Sequence, residues 1–529
     1  MQRKKLKRLT AMMLTAAMTV FCTGLGGILE VSAAESEYKD ELHIALGAEP
    51  ANLDIVANSA TVSVEVADGT IFESLVTVNE NYEPIPELAE SWEISDDNTV
   101  YTWHLRQGIK FHNGDEMVAE DVAASLNRWL ENAGNAQTMI GETQFVAADT
   151  YTVTLTMEKG CAYVNELMGG LGQRAVIMPK SVVDAVDESG LISEYIGTGP
   201  YKFVEWKDQQ QIHLTRFDEY QPYGTEGEFS GWGGYKAAYT KDIYFDIVAD
   251  SSTVTAGLQT GEYDIATEIS NDNLDLFEDN DDYKVTLQEC QMSFLVFNKQ
   301  EGKGADQTVR QAIQAAINCD EVMYGTYGRE DMYSIYSSYT FKDITDWYSE
   351  AGSEYYNQGD PEKALELWKE AGMTDDDAFT ILAPNDDEAF YAEALICQNQ
   401  LEKAGIKCEL LTFDWSTYAS FKYDHPDQYD AFITSFTPKV LPTLNLYLSA
   451  TWSGWVSDER ILGDLEEIAA NQSKEDAIKI WDDLQGYMYE TSVPVVKFGS
   501  SIKNMVTSSK VEGAELFEHV VYSNARVLK

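Results

Sequence analysis

Hydrophobic and polar residues alternate along two stretches of the N-terminal half, as they do in strands buried on one face. Residues 42–46 and 100–105 show this period of two, and chain-breaking or turn residues follow each of them. A helix is predicted from about residue 119 to 130, because the acids Glu120 and Asp121 at its start suit the positive end of a helix dipole. The pattern therefore predicts both strands and helices in this half.

Strands and helices succeed one another more densely in the C-terminal half. Apolar residues recur there at helical spacing, and short apolar runs between them indicate strands. A strand, a helix and a further strand in succession predict a β-α-β crossover and a mixed, mostly parallel sheet. The predicted strands are 295–297, 379–382 and 406–413, and the predicted helices are 308–317, 361–372 and 388–404.

The length of the chain predicts at least two lobes. A hydrophobic core stops growing at about 250–300 residues, and this chain has 529. Five basic residues at the N-terminus precede an apolar stretch from about residue 9 to 29, and small residues suited to cleavage follow. Residues 1–33 are therefore predicted to be an export signal peptide. The alternative is an uncleaved membrane anchor, since the apolar stretch approaches the ~20 residues that span a bilayer.

The charge of the chain argues against nucleic acid as a partner. There are 37 Lys and Arg against 89 Asp and Glu, a net charge of −52, and removal of five basic residues and one acid with the signal peptide makes it −56. Such a surface repels phosphate backbones and anionic lipid headgroups. Solubility accounts for this charge, and attraction of cationic ligands is the alternative.

No sequence motif for catalysis or metal binding stands out. The six histidines never fall within a helical turn of one another, and the G-x-S-x-G, P-loop, H-E-x-x-H and C-x-x-C patterns are missing from the sequence. The five cysteines after the signal peptide predict free thiols, although Cys397 and Cys408 could meet. The 11 Trp, 30 Tyr and 20 Phe residues suit a ligand held by stacking and burial. We therefore predict no cofactor and no bound metal, while a pair of catalytic carboxylates is neither indicated nor excluded by the sequence.

Five parts of the chain resemble the signature regions of one protein family. They stand in the family's order over roughly residues 40–529. From these five regions the chain is identified as a member of the bacterial extracellular solute-binding proteins of family 5, which serve peptide, nickel and related ABC importers. The motifs are ESLVTVNENYEPIPELAESW at 73–92 with YTWHLRQGIKFHNGDEMVAEDVAASLNR at 101–128, IGTGPYKFVEW at 196–206, GLQTGEYDIA at 257–266, FNKQ at 297–300 with VRQAIQAAIN at 309–318, and PEKALELWKEAGM at 361–373.

The resemblance implies an α/β fold in the form of a two-lobed, periplasmic-binding-protein-like clamp. It would be of class II type, with mixed sheets flanked by helices. Lobe I would comprise residues 34–290, with an extra subdomain inserted at about 80–190, and a return segment, 497–529. Lobe II would comprise residues 291–496. Closure around a ligand is then a hinge motion, and the ligand stabilises the closed state by touching both lobes.

The resemblance also points to the residues of the cleft. Two strands are expected to cross between the lobes, near residues 288–294 and 493–498. In relatives the loop after the first strand, this hinge and the lobe II strands line the ligand site. We add Trp452 to the residues carried over from the relatives, because two tryptophans on either side of a glycine could form a wall on which a ligand stacks. For each predicted residue, the alternative role is packing in the core. The predicted ligand-binding residues are Glu49, Gln291, Met292, Ser293, Trp415, Phe436, Lys439 and Trp452.

Lys439 is a departure from the family pattern. Peptide-binding relatives usually have an aspartate near this position, where it accepts the α-ammonium group of the ligand. A lysine repels an ammonium group buried near it. The hypothesis is that the ligand is anionic, blocked at its amino terminus, or not a peptide, and the alternative is that Lys439 points to solvent.

The resemblance implies an extracellular subunit that captures a peptide or peptide-like solute and delivers it to ABC permease and ATPase subunits. A monomer is expected, secreted or periplasmic or at the outer face of the cytoplasmic membrane. Thr19-Val20-Phe21 before Cys22 is a poor match to a lipid-attachment site. The alternatives are a nickel or metal-chelate binder of the same fold, a secreted carbohydrate-active enzyme, or a clamp that hands its ligand to a receptor.

Overall fold

A large mixed sheet runs through the protein, whose computed structural model describes residues 37–170, 173–437, 439–471 and 473–529. The predicted signal peptide lies outside these residues. The strands in the described part are β1 (Glu41–Leu46), β2 (Val76–Val78), β3 (Pro84–Pro86), β4 (Ala89–Ile94), β5 (Val100–Leu105), β6 (Phe145–Asp149), β7 (Thr152–Thr156), β8 (Tyr201–Lys207), β9 (Gln211–Arg216), β10 (Phe229–Ser230), β11 (Gly233–Gly234), β12 (Asp242–Ile247), β13 (Ile265–Thr267), β14 (Tyr283–Phe297), β15 (Tyr333–Ser334), β16 (Ala378–Pro384), β17 (Lys407–Phe413), β18 (Ala431–Phe436), β19 (Val495–Ser508), β20 (Val511–Glu512), β21 (Glu515–Phe517), β22 (His519–Val521) and β23 (Arg526–Val527).

Helices cover the large sheet and a smaller one. Their positions agree with the predicted helices to within about two residues. The α-helices in the described part are α1 (Thr61–Ala67), α2 (Ala119–Asn132), α3 (Gly134–Ile140), α4 (Val164–Gly169), α5 (Lys180–Val183), α6 (Ser251–Thr260), α7 (Asn271–Glu278), α8 (Gln307–Ala316), α9 (Cys319–Tyr327), α10 (Pro361–Glu370), α11 (Glu388–Lys403), α12 (Trp415–Asp424), α13 (Glu459–Ala470) and α14 (Lys474–Tyr487).

Two long antiparallel strands, β14 and β19, join the two sides of the large sheet. The strand order is β17-β16-β18-β14-β19-β13-β1-β12-β9-β8. Register shifts occur between Glu289 and Gln291 and between Ser293 and Phe294. Such bulges bend and twist a strand pair. We call the β13 side of this pair lobe I and the β18 side lobe II, as the fold is two-lobed.

Lobe II contains the predicted β-α-β crossover. Strands β16 and β17 pair in parallel on either side of α11. The helix begins after Asp387, whose side chain accepts a hydrogen bond from the amide of Phe390 at 3.0 Å. It ends just before Gly405, which has a φ of +84°, a conformation that favours glycine. The prediction of a mixed sheet in this region is confirmed.

A separate four-stranded antiparallel sheet lies within the predicted inserted subdomain. Its order is β4-β5-β7-β6, and Trp103 and Trp129 are buried in its core with α2. Arg128 on α2 forms an ion pair with Asp54, which lies in the loop after β1, and both side chains are buried. This pair ties the small sheet to lobe I.

Strand β14 is much longer than the predicted strand at 295–297. Its second half is fully buried, but residues from Tyr283 to Gln291 are exposed or half-buried. This first half is held in place by backbone pairing with β19 rather than by burial of its side chains. The sequence of this half therefore lacks the alternation of apolar residues that predicts a strand.

The cysteines of the described residues are free thiols, as predicted. No helix among the described residues has the length and apolarity needed to cross a bilayer.

Candidate ligand-binding site

A cavity of about 740 Å³ lies beside the bulged centre of the β14–β19 pair. Lobe I lines it with the end of β1, helix α1, the segment after β13 and strand β22. From residues 291–496 it is lined by Tyr327 at the end of α9, by Met332, and by Thr437 after β18 on the lobe II side. Small-molecule sites typically measure ~300–1,000 Å³. A guest in this cavity would therefore contact both lobes.

The floor of the cavity is formed by the two crossing strands. Cys290 sits at the bulge of β14, with its sulfur 3.2 Å from the hydroxyl oxygen of Ser501 on β19. The side-chain oxygen of Gln291 accepts a hydrogen bond from the hydroxyl of Ser435 on β18 at 2.7 Å. Burial raises the pKa of the Cys290 thiol, so this thiol is protonated and is a weak nucleophile.

Glu65 on α1 forms part of the lobe I wall. Its side chain is buried, and one carboxylate oxygen accepts a hydrogen bond from the hydroxyl of Tyr522 at 2.7 Å. The other oxygen has no hydrogen-bond partner among the described residues. Burial raises the pKa of this carboxyl group, and the bond from Tyr522 opposes that effect. The wall therefore contains a carboxylate that lacks a counter-charge in contact with it.

Glu518, next to β22, is a second buried acid of this wall. Its carboxylate accepts a hydrogen bond from the hydroxyl of Tyr82, and its carbonyl oxygen accepts one from the ammonium group of Lys503. Tyr82 and Glu518 have φ angles of 60° and 63°, a region that costs non-glycine residues about 1 kcal/mol or more. Burial raises the pKa of Glu518 to about 7, against the opposing effects of Tyr82, Lys503 and Lys439.

Glu268 is the third acid of the lobe I wall, and its side chain is exposed. Its backbone is held by Asn504 on β19, whose carbonyl oxygen accepts the Glu268 amide at 2.9 Å. The Asn504 side chain also bonds both backbone groups of Ile269, at 2.8 and 2.9 Å. The φ angle of Glu268 is 56°. The crossing strand thus holds this acid in a strained conformation at the cavity.

Lys439 lies after β18 at the lobe II side and is partly buried. Burial lowers its pKa, and the negative charge of Glu518 opposes that effect. Its ammonium group makes no hydrogen bond or ion pair of 4 Å or less with any described residue. Lys439 therefore carries a poorly solvated charge whose electrostatic partner belongs to the other lobe.

Of the predicted ligand-binding residues, Gln291 lies in the cavity lining. Met292 and Ser293 follow it on β14 and are almost fully buried, at 2% and 1% exposure. Phe436 packs against Phe294 and Tyr447, with ring centroids 5.7 and 5.2 Å away. The structure thus brings Gln291 to the cavity and leaves these three neighbours in or beside the lobe II core.

Glu49, Trp415 and Trp452 lie apart from the cavity lining. The Glu49 carboxylate accepts hydrogen bonds from the indole of Trp206 and the amide of Gln209, both at 2.8 Å. Trp415 is 48% exposed at the start of α12. Trp452 packs on Phe436 at 5.3 Å and lines a second cavity of about 470 Å³ beside α3. Their ligand contacts stay predictions.

The charged residues of the cavity were missed in the sequence. Glu65 lies in a short helix, and Lys503 and Glu518 lie in the return segment, more than 400 residues away. No motif or local period sets these acids apart from the other acids of the chain. The contact between Glu65 and Tyr522 exists only in the folded protein.

The middle region of the chain matches a family model. Residues 83–457 match the bacterial extracellular solute-binding proteins, family 5 middle. A probable peptide ABC transporter periplasmic-binding protein of Sinorhizobium fredii is 25% identical over 430 residues, which cover 77% of this chain and 78% of that protein. The dipeptide-binding protein of Escherichia coli is 27% identical over 372 residues, 64% of each chain.

Solved structures share the fold. A binding protein of Agrobacterium tumefaciens in complex with agropinic acid has a TM-score of 0.75 and 23% identity, over 92% of this chain and 98% of its own. A dipeptide-binding protein of Pseudoalteromonas with Met-Leu has a TM-score of 0.74 and 19% identity, over 92% and 100%. The sequence motifs, the two-lobed sheet and the match over most of the chain agree: this protein belongs to the bacterial extracellular solute-binding proteins of family 5.

Proposed function

We propose that this protein is the substrate-binding subunit of an ABC importer and captures a peptide or peptide-like small solute between its lobes. The observation that carries the proposal is the cavity at the β14–β19 crossing, lined from both lobes. The names of the curated relatives, which describe peptide and dipeptide binding proteins, support the ligand class.

The proposed mechanism is capture by closure. The bulges of β14 and β19 suit a hinge. With lobe I at residues 34–290 and 497–529 and lobe II at 291–496, the first boundary between the lobes would fall at the bulge of Cys290. A ligand that contacts Glu65 on one side and Thr437 on the other favours the closed state, since it binds that state better. The protein would act as a secreted or periplasmic monomer, without catalysis, and deliver the solute to permease and ATPase subunits.

Thermal unfolding and calorimetry with di- to pentapeptides test the capture function. A ligand at a hundred times its Kd stabilises the folded state by about 2.7 kcal/mol. Thr437→Trp, which fills the cavity, should weaken binding by about tenfold or more, whereas Thr225→Trp on an exposed segment should not. Hydrolysis of a glycan panel, or binding that survives Thr437→Trp, would contradict capture in this cavity.

The ligand end that faces Lys439 is proposed to be anionic, blocked or neutral. The unpartnered ammonium group of Lys439 supports this, since a second ammonium group beside it would be repelled. Calorimetry with peptides and their amino-terminally acetylated forms tests the point. Tight binding of ordinary peptides that acetylation abolishes, and that Lys439→Ala improves, would defeat the idea.

A further inference from the structure

Acids outnumber cations in the cavity lining of the described residues. Glu65, Glu268 and Glu518 line it, and Lys503 is the basic residue among them. The Lys503 ammonium group is already engaged by the carbonyl oxygen of Glu518. His519 also lines the cavity, but burial holds its pKa well below the usual range, so it is neutral. The lobe I wall therefore has three carboxyl groups against one ammonium group.

Glu65 is the acid of this wall that most needs a partner. Its side chain is 8% exposed, and one of its carboxylate oxygens has no hydrogen-bond donor among the described residues. An ionised carboxylate that is removed from water without a counter-charge is unfavourable. At Glu65, the positive charge of Lys503 lowers the pKa and opposes the effect of burial, whereas the negative charge of Glu268 raises it. Lys439 acts on Glu518.

We propose that Glu65 and Glu268 hold a cationic group of the ligand, a primary ammonium or a guanidinium, against the lobe I wall. The inference rests on the proposed capture function and names the chemistry of what is captured. Ammonium and guanidinium groups supply several donors to carboxylate oxygens at once. In the described residues no group of three His, Cys, Asp or Glu side chains could hold a metal ion, so an organic cation is the expected guest.

The cationic group can come from a peptide amino terminus, a basic side chain or a free amine. Calorimetry separates these sources with four probes: Ala-Ala-Ala, N-acetyl-Ala-Lys-Ala, N-acetyl-Ala-Ala-Ala and agmatine. At least one of the three cationic probes should bind about tenfold tighter than N-acetyl-Ala-Ala-Ala, as expected for a charge-assisted hydrogen bond. Glu65→Gln and Glu268→Gln should each remove about tenfold of that preference.

Glu262→Gln provides the matched control, because it removes the same charge from an exposed residue of lobe I outside the cavity lining. It should leave all four affinities unchanged. Since Glu268 is exposed, its variant is expected to fold normally, which keeps the test valid if Glu65→Gln unfolds. Unchanged binding of the cationic probes by both cavity variants would overturn the cation subsite, and so would equal or no binding of the cationic probes.

The binding measurements distinguish a failure of the proposed cation subsite from a failure of the proposed peptide capture. Agmatine binding that Glu65→Gln weakens, without binding of any peptide, would support the subsite and contradict peptide capture. Tight binding of all three peptides with no dependence on charge would support peptide capture and contradict the subsite.

Discussion

Lobe I buries carboxylates in two different ways. In its interior, Asp54 accepts hydrogen bonds from both terminal nitrogens of Arg128 at 3.0 and 2.5 Å and from the Ile192 amide at 3.0 Å. In the cleft, Glu65 has one hydrogen bond from a neutral hydroxyl and no cation in contact among the described residues. The first carboxylate has a counter-charge in contact with it, and the second has none among the described residues.

This difference distinguishes a carboxylate with a structural role from a carboxylate that is a candidate for ligand binding. A buried carboxylate that accepts two hydrogen bonds from one arginine has its charge compensated within the protein, so its role is to hold loop and helix together. A buried carboxylate without a counter-charge lowers stability, and in the proposed subsite the ligand would supply the charge that Glu65 lacks. Substitutions in the two places should therefore change different measurements.

The largest expected effect comes from Arg128→Met. It leaves Asp54 buried, at 1% exposure, without its cation, and should lower the free energy of unfolding by about 3–5 kcal/mol. Urea denaturation measures this. Lys159→Met, which removes an exposed pair with Glu466, should cost less than about 1 kcal/mol. Equal losses for the two variants would mean that the interior pair has no special structural role.

A smaller effect is expected from Glu518→Gln, and it depends on pH. The pKa of Glu518 rises from 4.5 to about 7 in the folded protein, so the folded state binds the proton more tightly than the unfolded state. The difference in the free energy of unfolding between wild type and variant should not change with pH below about pH 4.5. As the pH rises from there to about 7, the wild type should lose stability relative to the variant. At about 1.4 kcal/mol per pH unit, the loss is roughly 3 kcal/mol.

Denaturation of both proteins between pH 4 and 8 measures this difference. Tyr82, Lys503, Lys439 and Asp343 also face Glu518, and they are the same in both proteins. A stability difference that stays constant with pH would show that Glu518 does not titrate in this range.

The smallest effect on stability is expected from Glu65→Gln. The glutamine oxygen can still accept the Tyr522 hydroxyl, and no bound cation loses its partner. The free energy of unfolding without ligand should therefore change by less than about 1 kcal/mol, and an increase is the expected sign. Urea denaturation at pH 7 gives the value. A loss as large as that of Arg128→Met would place Glu65 with the architectural residues.

Local sequence predicted the elements whose burial is regular. Helix α11 and strands β16 and β17 follow from apolar spacing and from Gly405, and their β-α-β order implies the parallel pairing. The exposed half of β14 could not be found in this way, because its place depends on hydrogen bonds to a strand about 200 residues later.

By itself, the sequence determined the class of the protein: its anionic composition, its α/β succession and its ordered family motifs. Tertiary structure decided which acids line the cavity. Glu65 meets Tyr522, and Glu518 meets Tyr82, across more than 400 residues of chain. Carboxylate side chains that are chemically alike in the sequence differ in their electrostatic environment, because some are paired with arginine and others are buried without a cation. Only the folded chain creates that difference.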